Sequence, residues 1–453
     1  MPFAADDDGD LAQLPDIPAV ALFIERASEA DPGFRLDAST APAVLEICRR
    51  LDGIPLAIEL AAARARAIDV AEIARRLDER FRLLRGVRRG SDPRHRTLLD
   101  AISWSYDLLS DDEQRLFASL AVFAGQFDLD AAERVCDGDD VLDLLTRLAE
   151  RSMVAVRRPG GGGTRYELLE TLREYGRSRL DGDRSVKAFT SHAEHHASVA
   201  RSVESDLRTS DEGRGVARAD AAFADLRAAQ RFAVQIEDFD SAFGLIGSIR
   251  EYAMRTMRYE VFAWADTAAR EEAGLDHPLH PLIAGIRAYG SWVRGEFDRA
   301  RTLAHEARSV EERRGFTPSG LVERVLANVL YVVGDVETGL SETGRQLEIA
   351  EASGSGSRLA HACYMRSVSA SSIGDYDEAA RLVLRAREAG RRSGSPTDLA
   401  SAFVAEGFAT RDDDLRALQA FAAADELARS AGNRWMSAFA RTEASGLRVH
   451  RAT

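Results

Sequence analysis

The hexapeptide Gly295-Glu296-Phe297-Asp298-Arg299-Ala300 returns as Gly374-Asp375-Tyr376-Asp377-Glu378-Ala379. A weaker copy, Gly334-Asp335-Val336-Glu337-Thr338-Gly339, lies between them, and degenerate copies begin at Met257 and Asp412. Successive starts are 38 to 40 residues apart. A fixed period of this size, with a turn motif feeding a helix, confines the chain to stacked helical hairpins, because one hairpin cannot bury its apolar face alone. The spacing exceeds the roughly 34 residues of a standard tetratricopeptide unit, so the helices or loops must be longer. Ala300 and Ala379 read as small residues that let helices approach closely, and Phe297 and Tyr376 as aromatics filling the neighbouring hairpin. From about residue 190 onward only amphipathic helices are signalled, so residues 190–445 form a TPR-like helical repeat domain.

The preceding sequence has a different grammar. Residues 1–16 are an acidic, flexible lead. Residues 17–96 read as a helical subdomain. A helix from Pro18 carries Val20, Phe23, Ile24 and Ala27, and a second, with a cap between Asp37 and Thr40, carries Val44, Ile47, Cys48 and Leu51. Gly53 then breaks one helix and Pro55 sits in the first turn of the next. A fourth helix, from about Val70 to Leu84, leads into a connector holding Arg75, Arg76, Arg80, Arg82, Arg85, Arg88, Arg89, Arg94 and Arg96.

Residues 97–182 read as a winged helix. Thr97 to Leu108 is helical, Ser110 to Glu113 is a capping box, and short helices follow at Asp130–Val135 and Val141–Glu150. Met153 to Val156 and Arg165 to Leu168 are strands flanking the turn Pro159 to Gly163, and a helix from Leu169 to Leu180 leaves the hairpin. The fold class is therefore mainly α: a helical subdomain and a winged helix with one β-hairpin, followed by an α-solenoid.

Composition removes several functions. The formal net charge is −14, which disfavours the clustered positive charge of non-specific nucleic-acid binding. Lys187 is the only lysine, and no glycine-rich loop precedes it. A Walker A loop needs G-x-x-x-x-G-K-[ST], so a P-loop ATPase acting alone is excluded. Cys48, Cys136 and Cys363 have no metal-ligand or redox spacing and read as buried small hydrophobes in a reducing compartment. Met1 is followed by an acidic stretch unlike a signal peptide, and no run approaches the ~18 apolar residues of a membrane span. These features point to a cytoplasmic protein.

Three segments taken together carry a resemblance: LDGIPLAIELAAAR (Leu51–Arg64), LLDAISWSYDLLSDDEQRLFASLAVFAGQFDLDAAERVC (Leu98–Cys136) and YELLETLREYGRSRL (Tyr166–Leu180). Their order resembles the second half of the NB-ARC-type module of STAND signalling ATPases, in regulators related to the AfsR and LuxR types. The resemblance is close over 18–180 and architectural over 190–440. It implies that Gly53, Ile54, Pro55 and Leu56 match the motif whose proline lies against the nucleotide base and sugar. It also implies that the phosphate-touching Met-His-Asp motif falls on Leu168, Leu169 and Glu170, where Leu169 cannot donate a hydrogen bond. The P-loop, the Walker B acids and the sensor arginine would precede Met1. No cofactor is required on this reading, and ADP or ATP is expected only if a P-loop partner completes the site.

Other candidates are weaker. His192, His195 and His196 share a helix face with Glu194 near them, yet H-E-x-x-H is not formed, and a solvated face is expected rather than a metal site. Trp264, Trp292 and Trp435 read as packing between hairpins. Val141–Glu150, in the place of a recognition helix, carries two acids and one cation, Arg147. Arg157, Arg158 and Arg165 on the wing are its only help, so direct DNA contact is disfavoured. No catalytic constellation is found. The resulting expectation is a non-enzymatic signal-transduction regulator whose repeats bind an effector or partner protein and whose winged helix relays the event to transcriptional control. The alternatives are a DNA-binding transcriptional regulator and a nucleotide-binding half-module.

Overall fold

In a computed structural model the chain divides into two compact units, 1–192 and 193–453. The structure describes residues 14–452 except 52, 54, 63–64, 66–67, 77–101, 104–105, 108, 137–139, 152, 159–162, 271–273 and 411. The expected acidic lead, most of the helix at Thr97–Leu108 and the connector from Arg80 to Arg96 lie largely outside the described residues.

The first unit opens with four helices: α1 (Pro18–Ala30), α2 (Ala41–Arg50), α3 (Pro55–Ala62) and α4 (Val70–Arg76). Val20, Phe23, Val44, Ile47 and Ile58 are wholly buried, and each such side chain contributes on the order of 1.5–3 kcal/mol by leaving water. Gly53 adopts φ +64° and its N–H bonds the Cys48 carbonyl at 3.1 Å, closing α2 before Pro55 starts α3. The expected cap of α2 is a turn rather than a side-chain cap at Thr40. Asp37 Oδ1 accepts from the amides of Ser39 and Thr40, at 2.8 and 3.1 Å.

Then come α5 (Asp111–Leu120), α6 (Leu129–Val135) and α7 (Val141–Glu150), the hairpin β1 (Ala155–Arg157) with β2 (Arg165–Glu167), and α8 (Glu170–Arg179). The capping box forms as read: Glu113 N–H donates to Ser110 Oγ at 3.3 Å and Ser110 N–H to Glu113 Oε2 at 2.8 Å. The first strand starts two residues later than expected, because Met153 and Val154 turn into the core. Phe127 pairs with Tyr166 through two backbone bonds of 2.8 and 2.9 Å, adding one antiparallel bridge beside the hairpin. Gly176 lets α8 lie against α5, since a Cβ there would stand 2.8 Å from the Ala121 methyl. Arg173 and Arg177 fasten the same seam through the carbonyls of Ala124 and Ala121, at 2.9 and 2.8 Å.

The division falls within α9 (Gly182–Asp206). The second unit continues as α10 (Glu212–Gln235), α11 (Phe239–Thr256), α12 (Glu260–Ala268), α13 (His280–Val293), α14 (Phe297–Arg314), α15 (Leu321–Val333) and α16 (Val336–Ala352). It ends with α17 (Gly356–Ser372), α18 (Tyr376–Ser393), α19 (Pro396–Ala409), α20 (Asp414–Ser430) and α21 (Arg434–Ala452).

The repeated hexapeptide is the hairpin turn itself. Gly295, Gly334 and Gly374 take φ of +78°, +84° and +83°, the left-handed conformation that ends a helix most cheaply with glycine. The next residue's amide reaches back to the helix just ended, as in Asp375 N–H to the Ala370 carbonyl at 3.0 Å. That Asp then caps the following helix by accepting from Glu378 N–H at 3.1 Å. Ala300 and Ala379 are wholly buried, as expected. The aromatic position is not uniform: Phe297 packs against the core, but Tyr376 is 48% exposed, so its reading as a filler is corrected. It opens α18 on the solvent side of the helix. One copy escapes the sequence reading. Glu237 takes φ +58°, Asp238 accepts from Ser241 N–H at 3.1 Å, and Ala242 is wholly buried, all without the glycine found at 295, 334 and 374.

The second unit also closes on itself. Glu212, in the first turn of α10, accepts from Ser395 Oγ at 2.5 Å and from the Thr397 amide at 3.0 Å, across 183 and 185 residues of sequence. Arg255 of α11 donates to the same carboxylate at 2.6 Å and to the Leu207 carbonyl at 2.8 Å. Asn433 Nδ2 donates to Thr397 Oγ1 at 3.1 Å, and Gly432 lies against Val216. In an ordinary solenoid each repeat touches only its neighbours. Here the first helices meet the last.

Candidate functional site

Closure encloses a cavity. It holds about 1070 Å³, part of it open to solvent. The first helix of successive hairpins lines it, joined by the end of α16, so residues from α11, α13, α15, α16, α17, α19 and α21 border one space. Its wall has an apolar part, including Met254, Leu321, Ile349, Trp435 and Met436. It also has a charged part made of Arg208, Arg250, Arg255, Arg324 and Arg358 against two acids, Glu251 and Asp398. An excess of cations therefore lines this space in a chain whose net charge is −14.

Not all of those arginines are neutralised. Arg255 is held by Glu212, and Arg208 and Arg250 reach Glu204 at 2.5 and 3.3 Å. Arg324 lies over the Tyr289 ring, 5.1 Å from its centroid, and contacts the Met254 sulfur at 3.7 Å. Among the described residues neither Arg324 nor Arg358 makes an ion pair.

The titratable groups register the same imbalance. Burial opposes the Glu251 charge, but Arg255, Arg250 and Arg324 outweigh it and bring the carboxyl down to about 2. Burial, reinforced by Arg324, pushes His361 down to about 3, so its imidazole is neutral at physiological pH. Burial lowers the Arg358 guanidinium, and Arg250 and Arg208 lower it further. Asp398, 3% exposed, is raised to about 6 by burial despite nearby Arg255, while accepting from Ser357 Oγ at 3.0 Å.

The residues singled out in sequence are scattered by comparison. Pro55 is exposed at the start of α3 and Gly53 is buried at the end of α2. Ile54 and the Leu56 side chain lie outside the described residues. Leu168 is core, Leu169 precedes α8, and Glu170 begins that helix and pairs with Arg173. On the wing, Arg157 is engaged by Glu167 at 3.3 Å and Arg165 by Asp128 at 2.8 Å. Arg147 and Arg158 are exposed and, among the described residues, make no ion pair. The outer face of α7 shows Leu142, Asp143, Thr146, Arg147 and Glu150.

Two other readings change. The solvated histidine face is corrected: His192 and His196 are 1% and 5% exposed, with His192 edge-on to Phe123 at 5.4 Å. Trp264 packs as expected, stacked on Phe223 at 5.5 Å, whereas Trp435 turns one edge to the cavity while stacking on Phe439 at 5.3 Å. The three cysteines are buried and free, with Cys48 pushed up to about 12 by burial. Among the described residues no helix is long and apolar enough to cross a membrane.

The family described as a winged helix-turn-helix domain matches residues 109–181, the segment from the capping box through α8. This segment is a winged helix-turn-helix domain. A protein of Mycobacterium tuberculosis named "Putative HTH-type transcriptional regulator" is 44% identical over 237 residues, covering 51% of this chain and 27% of that protein. An uncharacterised M. tuberculosis protein is 37% identical over 200 residues, covering 42% of this chain and 51% of that one. The matches thus span about a quarter and about half of these relatives' lengths. A Pyrococcus horikoshii STAND protein with a tetratricopeptide repeat sensor is similar in structure, with a TM-score of 0.45 and 13% identity, over 94% of this chain and 62% of that one. In this chain the winged helix-turn-helix domain is followed by helical repeats.

Proposed function

We propose that the chain is the sensing and relaying part of a STAND-type transcriptional regulator. Its helical repeats bind an effector in the enclosed cavity, and its winged helix-turn-helix domain passes that event to transcriptional control. It performs no catalysis of its own. The observation that carries this reading is the cavity: a mixed apolar and charged space lined by the hairpins, on the same chain as the winged helix-turn-helix domain. The relatives named as regulators support the regulatory half of it. Direct DNA reading by α7 is disfavoured, because its outward face offers two acids and one arginine and the wing's arginines are partly engaged. Nucleotide binding through Pro55 is reserved for a complex with a P-loop partner.

The test is genetic. The host's transcript profile is compared between a deletion strain, a strain restored with the wild-type gene, and one restored with Ile349→Trp, which fills the cavity. A regulon lost on deletion, restored by wild type and misregulated by the filled cavity supports the reading. Identical profiles in all three strains defeat it.

A further inference from the structure

We propose that the cavity of the second unit is built for a small organic anion, whose acidic group is held by Arg324 and Arg358 and whose body rests on Met254, Ile349 and Trp435. The inference rests on the reading of the repeats as the effector-binding part and names the chemistry of what they bind.

Three observations converge. First, five arginines against two acids line the cavity wall. Asp398 Oδ1 accepts from Ser357 Oγ, and Glu251 lies among Arg250, Arg255 and Arg324. Secondly, Arg324 and Arg358 enter this space from α15 and α17 without an ion-pairing acid among the described residues. A guanidinium outside any close ion pair and partly withdrawn from water is a ready receptor for a carboxylate or phosphate, which it can grip with two parallel N–H bonds. Thirdly, the cavity has a way in. A second cleft shares Arg208, Ala350, Ser355 and Ser357 with the cavity and adds Arg392 and Glu351. The apolar wall opposite decides against a bare inorganic ion, since it would be left facing nothing.

The lowered Arg358 and the neutral His361 agree with this placement. An arriving anion meets cations that repel one another and relieves that repulsion. His361 remains uncharged and leaves the grip to the guanidinium groups.

The full chain is titrated by calorimetry with benzoate, phenyl phosphate and neutral phenol, and the thermal midpoint is followed in parallel. Heat and a raised midpoint are expected from at least one anion and not from phenol. Arg358→Gln and Arg324→Gln are each expected to weaken that anion at least tenfold. The exposed Arg391→Gln should leave the affinity within twofold. Because Arg358 is opposed by burial and by Arg250 and Arg208, the Arg358→Gln midpoint without ligand should be equal to or above wild type, which guards against misfolding as the cause. Quenching of tryptophan fluorescence by the bound anion is expected to vanish in Trp435→Phe while the heat persists. Silence from both anions, phenol binding as tightly as they do, or full affinity in both Gln variants overturns the proposal. A regulon that still depends on the cavity would then leave the effector reading intact and discard only its anionic chemistry.

Discussion

Arg255 and Glu212 meet at 2.6 Å with 7% and none of their side chains exposed, although 43 residues separate them. Both charges have left water, and breaking such a pair strands the survivor. Arg255→Met is therefore expected to cost the second unit about 3–5 kcal/mol, measured by urea unfolding. Replacing both partners by apolar residues should recover much of that loss. If the single change costs no more than a surface substitution, the pair is not the clasp described above.

Stability should fall between about pH 4.5 and 7 on account of Glu311. It is 3% exposed, and burial followed by the charge of Glu323 raises its carboxyl to about 7. Glu323 is wholly buried and faces Arg308 and Arg345, at 3.3 and 3.5 Å. A carboxyl whose pKa is higher folded than unfolded favours folding while protonated. That advantage is whole below its ordinary 4.5 and is lost as pH climbs through 7. Glu311→Gln should stabilise the protein at pH 8 by on the order of 2 kcal/mol and flatten this part of the curve. An unchanged pH profile in the variant contradicts it.

The hairpin turns predict a graded pair of effects. Asp375→Ala removes the acceptor for the Glu378 amide and should cost about 1 kcal/mol. Gly374→Val forces a β-branched residue into φ +83° and should cost more. Chemical denaturation of the two variants settles the order, and the reverse order would show that the left-handed turn is not what closes this hairpin.

In the winged helix-turn-helix domain, Gly176→Leu should loosen α8 from α5, because even a Cβ would press on Ala121 and Phe117. A loss of about 2 kcal/mol or more is expected, read from unfolding followed near Tyr106 and Tyr175, which touch at 5.4 Å. A neutral substitution would mean that the helices stand further apart.

Calorimetry with ADP or ATP and magnesium is expected to give no heat from this chain alone, because no Walker A loop is present in its sequence. Micromolar ADP binding abolished by Pro55→Ala would reverse that expectation.

What could be read in the sequence was local chemistry. The Gly-Asp turns and the capping box at Ser110 carry their geometry in a few adjacent residues, so the helical repeats and the winged helix were legible. The Glu237 turn was not, because a non-glycine residue held there by its surroundings sends no composition signal. Burial of His192 and His196 was equally hidden, since their spacing fixes a face of the helix but not what that face meets. The cavity was hidden most deeply. Arg250, Arg324 and Arg358 lie on helices far apart in sequence and Arg208 in a turn, in a chain where all basic residues but one are arginine, and only closure of the repeats brings them together.

The join at Glu212 makes the second unit a hoop, and a hoop has a fixed circumference. An open stack of repeats can gain or lose a unit at little cost, because each added hairpin brings its own neighbour contact. Here one hairpin more or fewer would carry Ser395 and Thr397 out of reach of Glu212 and leave a buried carboxylate facing Arg255 alone. Repeat number is therefore constrained in this protein.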